Sequence, residues 1–353
     1  MKALGPHSES PPTPEMLAWS QIAPAVKQVN GTALLAVAPE NATTIYRWEP
    51  PVGWGADYEP TPEEAGARYG QGCVDALGGF HRPGLIVEAS RNERSARLAS
   101  TRKALGWPSE PNLEQNCRFT RAAAKVLNAH GYAAGGLCSA WGEGDEAEWL
   151  YIKAQGYCGL QYLLIHCYGP ADWNKCDDWS LFRWRRIRRW LNDPTAPAII
   201  VSETGIDAVY GSLPGYLANG LNAEQYAVWL EKLDAIMYAE DVRGVIFTGG
   251  GNPRWQAYSI ESLWRAGLIK AEPVEVWPRS IRTGGNTVAT LAEQYPTIYR
   301  EWVQAGGIET NFRAHLIGIG VLKPTADDLK TLAGNTLAAA QQLKNALTSY
   351  PFA

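Results

Sequence analysis

Eight short apolar runs recur along the first 271 residues of this 353-residue chain, and each leads into a connecting segment that is mostly helical in pattern. The runs are apolar on both faces, which is typical of strands in a parallel sheet that is covered on both sides. Neighbouring parallel strands need a long crossover between them, and a helix is the usual crossover. The alternation therefore constrains the chain to an α/β fold built from eight strand–helix units.

The boundaries of these units can be read from the sequence. The predicted strands cover residues 1–8, 25–30, 43–50, 84–90, 132–140, 162–169, 197–205 and 242–251. The clearest predicted helices cover residues 13–23, 61–78, 114–131, 146–159, 182–190 and 222–240. Two of these helices open with Thr-Pro, at Thr13 and Thr61, a favourable start because the hydroxyl caps the helix and the proline fixes its first turn.

Eight such units predict a (β/α)8 TIM barrel over residues 1–271. A doubly wound open sheet is the alternative, but the GxGxxG turn that usually follows its first strand is missing. Residues 272–353 have a different pattern, with two long helical stretches, and leucines lie near one face of the second. We interpret 272–353 as a helical C-terminal extension that packs on the barrel or joins copies of the chain in a homo-oligomer.

Charge and composition argue against several classes of partner. The net charge is −4, and no apolar run reaches the roughly 18 residues of a membrane span, so neither nucleic acid nor a membrane is expected as a partner. The one basic cluster, residues 182–190, is interpreted as an amphipathic helix with a solvated basic face. Six scattered cysteines and a start without an apolar signal segment predict a cytoplasmic protein with reduced thiols, or a phage-type protein released without a signal peptide.

Polar side chains follow several predicted strands, and two of them are carboxylates that stand out. Barrel enzymes carry their catalytic residues at the C-terminal ends of the strands. Glu93 follows the fourth strand and Glu203 ends the seventh, so the two are expected across the barrel mouth from each other. Carboxyl groups about 5 to 5.5 Å apart are the arrangement of a retaining glycosidase, in which one protonates the leaving oxygen and the other attacks the anomeric carbon.

No cluster has metal-ligand spacing, so neither a metal nor a cofactor is expected.

Three short motifs lie where one family of barrel enzymes carries its site. They are "SRNE" (90–93) after the fourth strand, "IHCYG" (165–169) in the sixth and "VSETG" (201–205) in the seventh. In this order and spacing, the chain resembles clan A of the glycoside hydrolases over roughly its first 270 residues. The three motifs together, on the expected strands, make the resemblance specific.

The resemblance implies a role for each polar residue in these motifs. Glu93 is the acid/base, and Glu203 is the nucleophile, of a retaining hydrolase that cleaves O-glycosidic bonds in an oligo- or polysaccharide. Asn92 binds the 2-hydroxyl of the sugar, a contact that strengthens in the transition state. Tyr168 holds the nucleophile, and His166 lines the site.

Further residues near the strand ends are assigned to substrate binding. Arg47 ends the third strand, one strand later than the clan's usual arginine, and a cation there is expected to keep Glu203 ionised. Trp48, Trp141 and Trp255 fall in loops after strands three, five and eight, where aromatic faces suit the apolar faces of sugar rings. The clan often ends strand eight with a tryptophan, whereas Trp255 comes several residues later.

Two other functions remain open on the sequence alone. The stretch "TGGGN" (248–252) resembles a phosphate-binding loop and favours a barrel enzyme that acts on a phosphorylated substrate. A non-catalytic barrel that binds carbohydrate or protein predicts that Glu93 and Glu203 are too far apart to cooperate. Glu88 is the rival of Glu93 for the strand-four role, although a structural ion pair is its more expected function.

Overall fold

The chain folds as a closed barrel of eight parallel strands that pair in sequence order, with the eighth strand beside the first. This computed structural model describes residues 1–9, 11–51, 58–92, 97–108, 111–139, 144–248, 252–270, 274–275 and 277–278. The strands are β1 Leu4–Ser8, β2 Ala25–Val29, β3 Thr43–Arg47, β4 Leu85–Glu88, β5 Ala133–Ser139, β6 Tyr162–Gly169, β7 Ala198–Ile206 and β8 Arg243–Phe247. The (β/α)8 barrel predicted from the alternation is therefore confirmed.

Helices lie between the strands along the chain. They are α1 Pro14–Ser20, α2 Ala33–Val37, α3 Pro62–Leu77, α4 Ala99–Ala104, α5 Leu113–Ala129, α6 Glu146–Ala154, α7 Arg183–Leu191, α8 Ala223–Ala239 and α9 Glu261–Arg265. The two Thr-Pro starts behave as expected, because the side chains of Thr13 and Thr61 accept hydrogen bonds from backbone N–H groups in the first turns of α1 and α3. Helix α4 was not predicted and lies between β4 and α5.

Large apolar side chains hold the helices against the outside of the barrel. Trp19, Trp149 and Trp184 are fully buried in this outer core, and aromatic side chains of this size contribute most of the apolar area removed from water. All six cysteines are free, and five of them are buried. In the part of the chain that the structure describes, no helix is long and apolar enough to cross a membrane.

The interior of the barrel is apolar toward the N-terminal ends of the strands. Side chains from five strands form one buried cluster there: Ile45, Ile86, Cys138, Leu164 and Ile200. Tyr162 and Trp277 pack against this cluster, with their ring centroids 6.1 Å apart. This half of the interior is a packed core, so any reacting group has to lie toward the other end.

The arginine-rich helix α7 is only partly solvated on its basic face. Arg188 and Arg189 are exposed as expected, but Arg183 and Arg186 are buried. Arg183 donates to backbone carbonyls of Ser139 at the end of β5 and of His166 within β6, and the Arg186 guanidinium lies 3.5 Å from the ring centroid of Trp179. The prediction of a solvated basic face was therefore wrong for Arg183 and Arg186. Arginine can be buried where backbone carbonyls accept its hydrogen bonds or where an aromatic ring lies against its guanidinium.

Most of the predicted C-terminal extension, residues 272–353, lies outside the described residues. Of that range the structure describes only 274–275 and 277–278. Glu275 is one of these, and its backbone carbonyl accepts a hydrogen bond from Arg243 at the start of β8. The helical character of the extension and its role in a homo-oligomer stay predictions.

Candidate active site

A β-bulge in β7 turns Glu203 into the barrel. Ile200 points into the interior, so unbroken alternation would send Glu203 outward toward the helices. The pairing with β6 steps from Val201 directly to Glu203, which leaves Ser202 as an extra residue, and the pairing with β8 shifts at the same place. Bulges often re-aim a side chain beside an active site, and this one aims the Glu203 carboxylate at the barrel axis.

Four side chains from three other strands surround the Glu203 carboxylate. Its Oε1 accepts from Arg47 Nη1 at 2.6 Å and from Lys27 Nζ at 3.3 Å. Its Oε2 accepts from the Tyr168 hydroxyl at 2.9 Å and lies 3.4 Å from His166 Nδ1. Glu203 is only 4% exposed. The structure therefore brings together four of the residues that the sequence assigned to the site, and Lys27 joins them.

The electrostatics of this cluster favour an ionised Glu203. Burial alone raises the pKa of a carboxyl group, but the electrostatic effect of the neighbouring His166, Lys27 and Arg47 outweighs it and holds the pKa of Glu203 well below its usual value. Burial raises the pKa of Tyr168 well above its usual value, and the adjacent Glu203 charge adds to the effect. Tyr168 is thus a neutral phenol that donates to a charged carboxylate, which is a strong type of hydrogen bond.

Glu9, which the sequence reasoning missed, is a second carboxylate at the same place. It follows β1 directly, and Arg47 Nη2 donates to its Oε1 at 2.5 Å. Carboxylate oxygens of Glu9 and Glu203 and a ring nitrogen of His7 lie within 4.8 Å of one another. Burial raises the pKa of Glu9, and the charge of Arg47 opposes this only in part. The sequence does contain a signal for Glu9, since a glutamate directly follows the polar His-Ser end of the first strand.

Below Glu203 lies a buried ion pair between Lys27 and Glu88. Lys27 Nζ is 2.7 Å from Glu88 Oε1, both side chains are fully buried, and Arg47 Nε lies 4.0 Å from Glu88 Oε2. The ion-pair interpretation of Glu88 agrees with this geometry. Lys27 was overlooked, although a lysine inside the apolar run "AVKQV" is a visible signal, because a charge there needs a buried partner.

Aromatic side chains form one wall beside Glu203. Tyr168, Phe247 and Tyr258 belong to one buried cluster, and Trp255 packs against it. The Trp255 ring stands edge-on to Phe247 at a centroid distance of 5.1 Å. Phe247, the last residue of β8, also lies edge-on to the His7 ring at 5.4 Å. The strand therefore ends in a phenylalanine, and the tryptophan reaches the wall from the following turn.

Trp48 is not brought into this wall. Arg47 points into the barrel, so the next side chain along β3 points outward. The Trp48 ring packs on Tyr69 of α3 at a centroid distance of 5.5 Å. A Cβ atom added to Gly72 of α3 would lie 2.2 Å from that ring. Trp48 thus contacts a surrounding helix on the side away from Glu203.

Two of the residues assigned from the sequence lie outside the described residues, namely Glu93 and Trp141, as does the glycine run 249–251. Asn92, next to Glu93, is described and partly buried, and no group among the described residues donates a hydrogen bond to its buried Oδ1. Buried polar atoms are nearly always hydrogen-bonded. The Asn92 acceptor is therefore suited to a ligand hydroxyl.

Within the described part of the chain, His7, Glu9 and Glu203 form the one group whose ligand atoms are close enough to share a metal ion. Burial and the charge of Lys27 lower the pKa of His7 well below its usual value, so its ring is neutral and could act as a ligand. However, Arg47 already donates to both glutamates. A divalent cation would join two buried positive charges at this point, so we assign no metal to the group.

No family model and no curated protein matches the chain. Among solved structures, a glucosidase from Croceicoccus marinus is similar at 13% identity, over 76% of this chain and 67% of that one, with a TM-score of 0.48. An endoglucanase from Pseudomonas stutzeri is similar at 14% identity, over 76% and 94%, with a TM-score of 0.45. The catalytic domain of a mannanase from Streptomyces sp. SirexAA-E is similar at 16% identity, over 72% and 78%, with a TM-score of 0.41. Similarities at this level carry no weight for the activity of this chain, so the contacts around Glu203 are what bear on its function.

Proposed function

We propose that this protein is a retaining glycoside hydrolase that cleaves O-glycosidic bonds in an oligo- or polysaccharide. Glu203 is the nucleophile, and Glu93 is the acid/base. The observation that carries the proposal is a buried carboxylate at the C-terminal end of the barrel, aimed inward by a bulge and held by Arg47 and Tyr168. A nucleophile of this kind has to stay charged, while its partner carboxyl group has to stay protonated.

The two oxygens of Glu203 have different surroundings, and this suggests which one attacks. Oε1 accepts from the two cations Arg47 and Lys27, whereas Oε2 accepts from the neutral Tyr168 hydroxyl and lies 3.4 Å from His166 Nδ1. Since the cationic donors hold Oε1, we assign Oε2 as the oxygen that attacks the anomeric carbon. As the C–O bond to Oε2 forms, the bond to the leaving oxygen breaks and Glu93 gives that oxygen a proton. Glu93 then takes a proton from water, which attacks the same carbon and releases Glu203.

Substrate binding follows from the groups around this carboxylate. The Oδ1 of Asn92, to which no described residue donates, is assigned as the acceptor for the 2-hydroxyl of the reacting sugar. Trp255 and the buried wall of Phe247 and Tyr258 offer apolar surface beside the reacting centre. Trp141 is assigned to a neighbouring subsite from its place in the sequence alone. A carbohydrate chain is thus the proposed partner, and no cofactor takes part in the reaction.

The site also speaks against a barrel that only binds. Buried ion pairs are seldom needed for stability, because apolar replacements are often neutral or stabilising. A carboxylate that is 4% exposed and accepts from two cations suits nucleophilic attack better than it suits binding alone. Catalysis by nucleophilic attack does require such a group.

The proposal is tested by comparing wild type, Glu203→Gln and Glu93→Gln on aryl glycosides, β-glucans, mannans and peptidoglycan. Glu203→Gln should lose turnover on every substrate that the wild type cleaves. Glu93→Gln should lose most on substrates whose leaving group needs a proton and least on those with an acidic phenol. Proton NMR of the first-formed product should show retained anomeric configuration. Inverted product, or full activity in Glu203→Gln, would contradict the proposal.

The proton donor is identified by adding azide, which needs no base to attack. Azide should rescue Glu93→Ala and give a glycosyl azide with retained configuration. Glu9→Ala is the matched control, since Glu9 is the other carboxyl group close to Glu203. If azide rescues Glu9→Ala and leaves Glu93→Ala unchanged, Glu9 and not Glu93 supplies the proton.

A further inference from the structure

Beneath the proposed nucleophile lies a buried pair of opposite charges, Lys27 and Glu88, that the reaction itself does not use. We propose that Lys27 and Glu88 are positioning residues, in which Glu88 holds Lys27 against Oε1 of Glu203 so that Oε2 is the oxygen left to attack. This inference rests on the proposed role of Glu203.

The geometry places Lys27 between two carboxylates. Its Nζ lies 2.7 Å from Glu88 Oε1 and 3.3 Å from Glu203 Oε1. Lys27 comes from β2, Glu88 from β4 and Glu203 from β7, so the lysine links strands from separate parts of the barrel. All three side chains are at least 95% buried, and water therefore competes little for these contacts. A four-carbon stem that is flexible in solution becomes a fixed donor in this setting.

Stability alone does not account for the pair. Removing two charges from water costs several kcal/mol per ion, and apolar residues of similar volume are often as stable or more so. The layer directly beneath consists of Ile45, Ile86, Leu164 and Ile200 with Cys138, so the barrel does use apolar side chains where nothing else is needed. The charges begin at the level from which they reach Glu203.

Glu88 matters most while Glu203 is bound to the sugar as an ester in the retaining reaction. The cations Lys27 and Arg47 meet the anions Glu88 and Glu203 here, and Arg47 is also paired with Glu9 and Glu49 toward the barrel mouth. When Glu203 attacks, its negative charge is lost in the ester with the sugar. Glu88 remains as the counterion of Lys27, so ester formation does not leave the lysine as an unpaired buried charge. Without Glu88, two cations would bind the free carboxylate more strongly and oppose its attack.

The test follows the Glu203 carboxyl group directly by NMR of protein labelled with ¹³C at the glutamate side-chain carboxyl carbons. The Glu203 signal is assigned by its loss in Glu203→Gln. The informative variant is Lys27→Met/Glu88→Leu, which removes both charges and leaves none unpaired. We expect Glu203 in the wild type to stay ionised down to the pH at which the protein unfolds. In the double variant it should take up its proton at a higher pH, because the nearer charge removed is the lysine that favoured its ionised form.

Arg118→Met is the matched control. It also removes a cation that is paired with a carboxylate, in the surface pair of Arg118 and Glu63 at 2.6 Å, where both side chains are half exposed. The Glu203 signal should titrate in this variant as it does in the wild type. Where the protein cleaves a glycoside, the double variant should also lose kcat with little change in KM, because the attacking oxygen and not the substrate is displaced.

Two results would overturn the inference. One is a folded double variant in which the Glu203 signal titrates as in the wild type. The other is a double variant that fails to fold, because the pair would then hold the barrel together instead of positioning Glu203. The titration needs no substrate. A protein without glycosidase activity would thus disprove the proposed function while still showing whether the pair acts on Glu203.

Discussion

The two halves of the barrel interior differ sharply, although the same strands line both. Toward the N-terminal ends of the strands, the interior is the apolar layer of Ile45, Ile86, Cys138, Leu164 and Ile200. Toward the C-terminal ends it is a charged layer of Lys27, Arg47, Glu88 and Glu203, with the rings of His7 and His166 beside them. On β3, β4 and β6 the change takes place in one step of the pleat, from Ile45 to Arg47, from Ile86 to Glu88 and from Leu164 to His166.

The difference shows how the fold separates stability from chemistry. The apolar layer excludes water and lowers the local dielectric constant, so charges directly above it interact more strongly than they would in solvent. The same surroundings make an unpaired charge expensive. The charged layer therefore has to be nearly balanced within itself, and Lys27 and Glu88 supply part of that balance. The following predictions change one layer at a time.

The largest effect is expected from Lys27→Met, which removes one charge from the charged layer. Glu88 would keep a buried charge, with only Arg47 Nε at 4.0 Å nearby. Breaking a buried pair in this way costs about 3–5 kcal/mol in the free energy of unfolding. Urea denaturation measures the loss, and adding Glu88→Leu should recover most of it. A loss below about 1 kcal/mol would mean that the charges do not depend on each other.

The next effect is a loss of stability on acidification that begins with His7. Because burial and Lys27 hold the pKa of His7 below 6.5 in the folded state, the unfolded chain binds its proton first. Stability should thus fall as the pH drops below about 6.5. It should fall again below 4.5, because the pKa of Glu203 is also depressed by folding. Denaturation curves between pH 8 and 4 measure this, and His7→Gln should flatten the first step. An unchanged slope in that variant would refute the assignment to His7.

A smaller effect, on oligosaccharide binding, is expected from a change at Trp255, beside the charged layer. Trp255→Ala should weaken binding of an oligosaccharide by about tenfold and change hydrolysis of a small aryl glycoside little, as loss of one aromatic contact implies. Trp48→Ala is the matched control, because Trp48 packs on α3 away from Glu203. That variant should lower the melting temperature and leave oligosaccharide binding unchanged. Isothermal titration with the two variants decides the point, and equal weakening in both would remove the distinction.

The smallest effect is expected from Leu164→Met in the apolar layer. Like Lys27→Met, this variant introduces a methionine, but it conserves the side-chain volume and changes no charge. It should therefore lower the free energy of unfolding by less than about 1.5 kcal/mol. The pH dependence of stability should stay that of the wild type. Urea denaturation at several pH values checks both statements. A loss as large as that of Lys27→Met would show that the two layers do not differ in the way described.

The sequence was sufficient for the fold because strand–helix alternation is a local signal. The eight predicted strands match the observed ones, with end shifts from one residue, as between 197–205 and Ala198–Ile206, to four, as between 242–251 and Arg243–Phe247. The Arg-rich helix was also found, but the burial of Arg183 was not, since it depends on carbonyls from two other strands. Partners that are distant in the chain leave no local mark.

For the site, the sequence supplied the residues but not all of their directions. Arg47, His166, Tyr168 and Glu203 were assigned from their places at strand ends, and the structure brings them together. Simple alternation would have turned Glu203 outward, and only the bulge at Ser202, a matter of pairing between strands, turns it in. Alternation did apply to Trp48, and it carries that residue away from the site.

The most direct test of the account is to trap the covalent intermediate on Glu203. The enzyme is incubated with a 2-deoxy-2-fluoro dinitrophenyl glycoside of the sugar it cleaves, digested and analysed by peptide mass spectrometry. Fluorine slows both steps, while the activated phenol lets the first proceed, so the glycosyl-enzyme accumulates. We expect one sugar per chain on the peptide that contains Glu203, and none in Glu203→Gln. A sugar on Glu9, Glu88 or Glu93, with Glu203 unmodified, would contradict it.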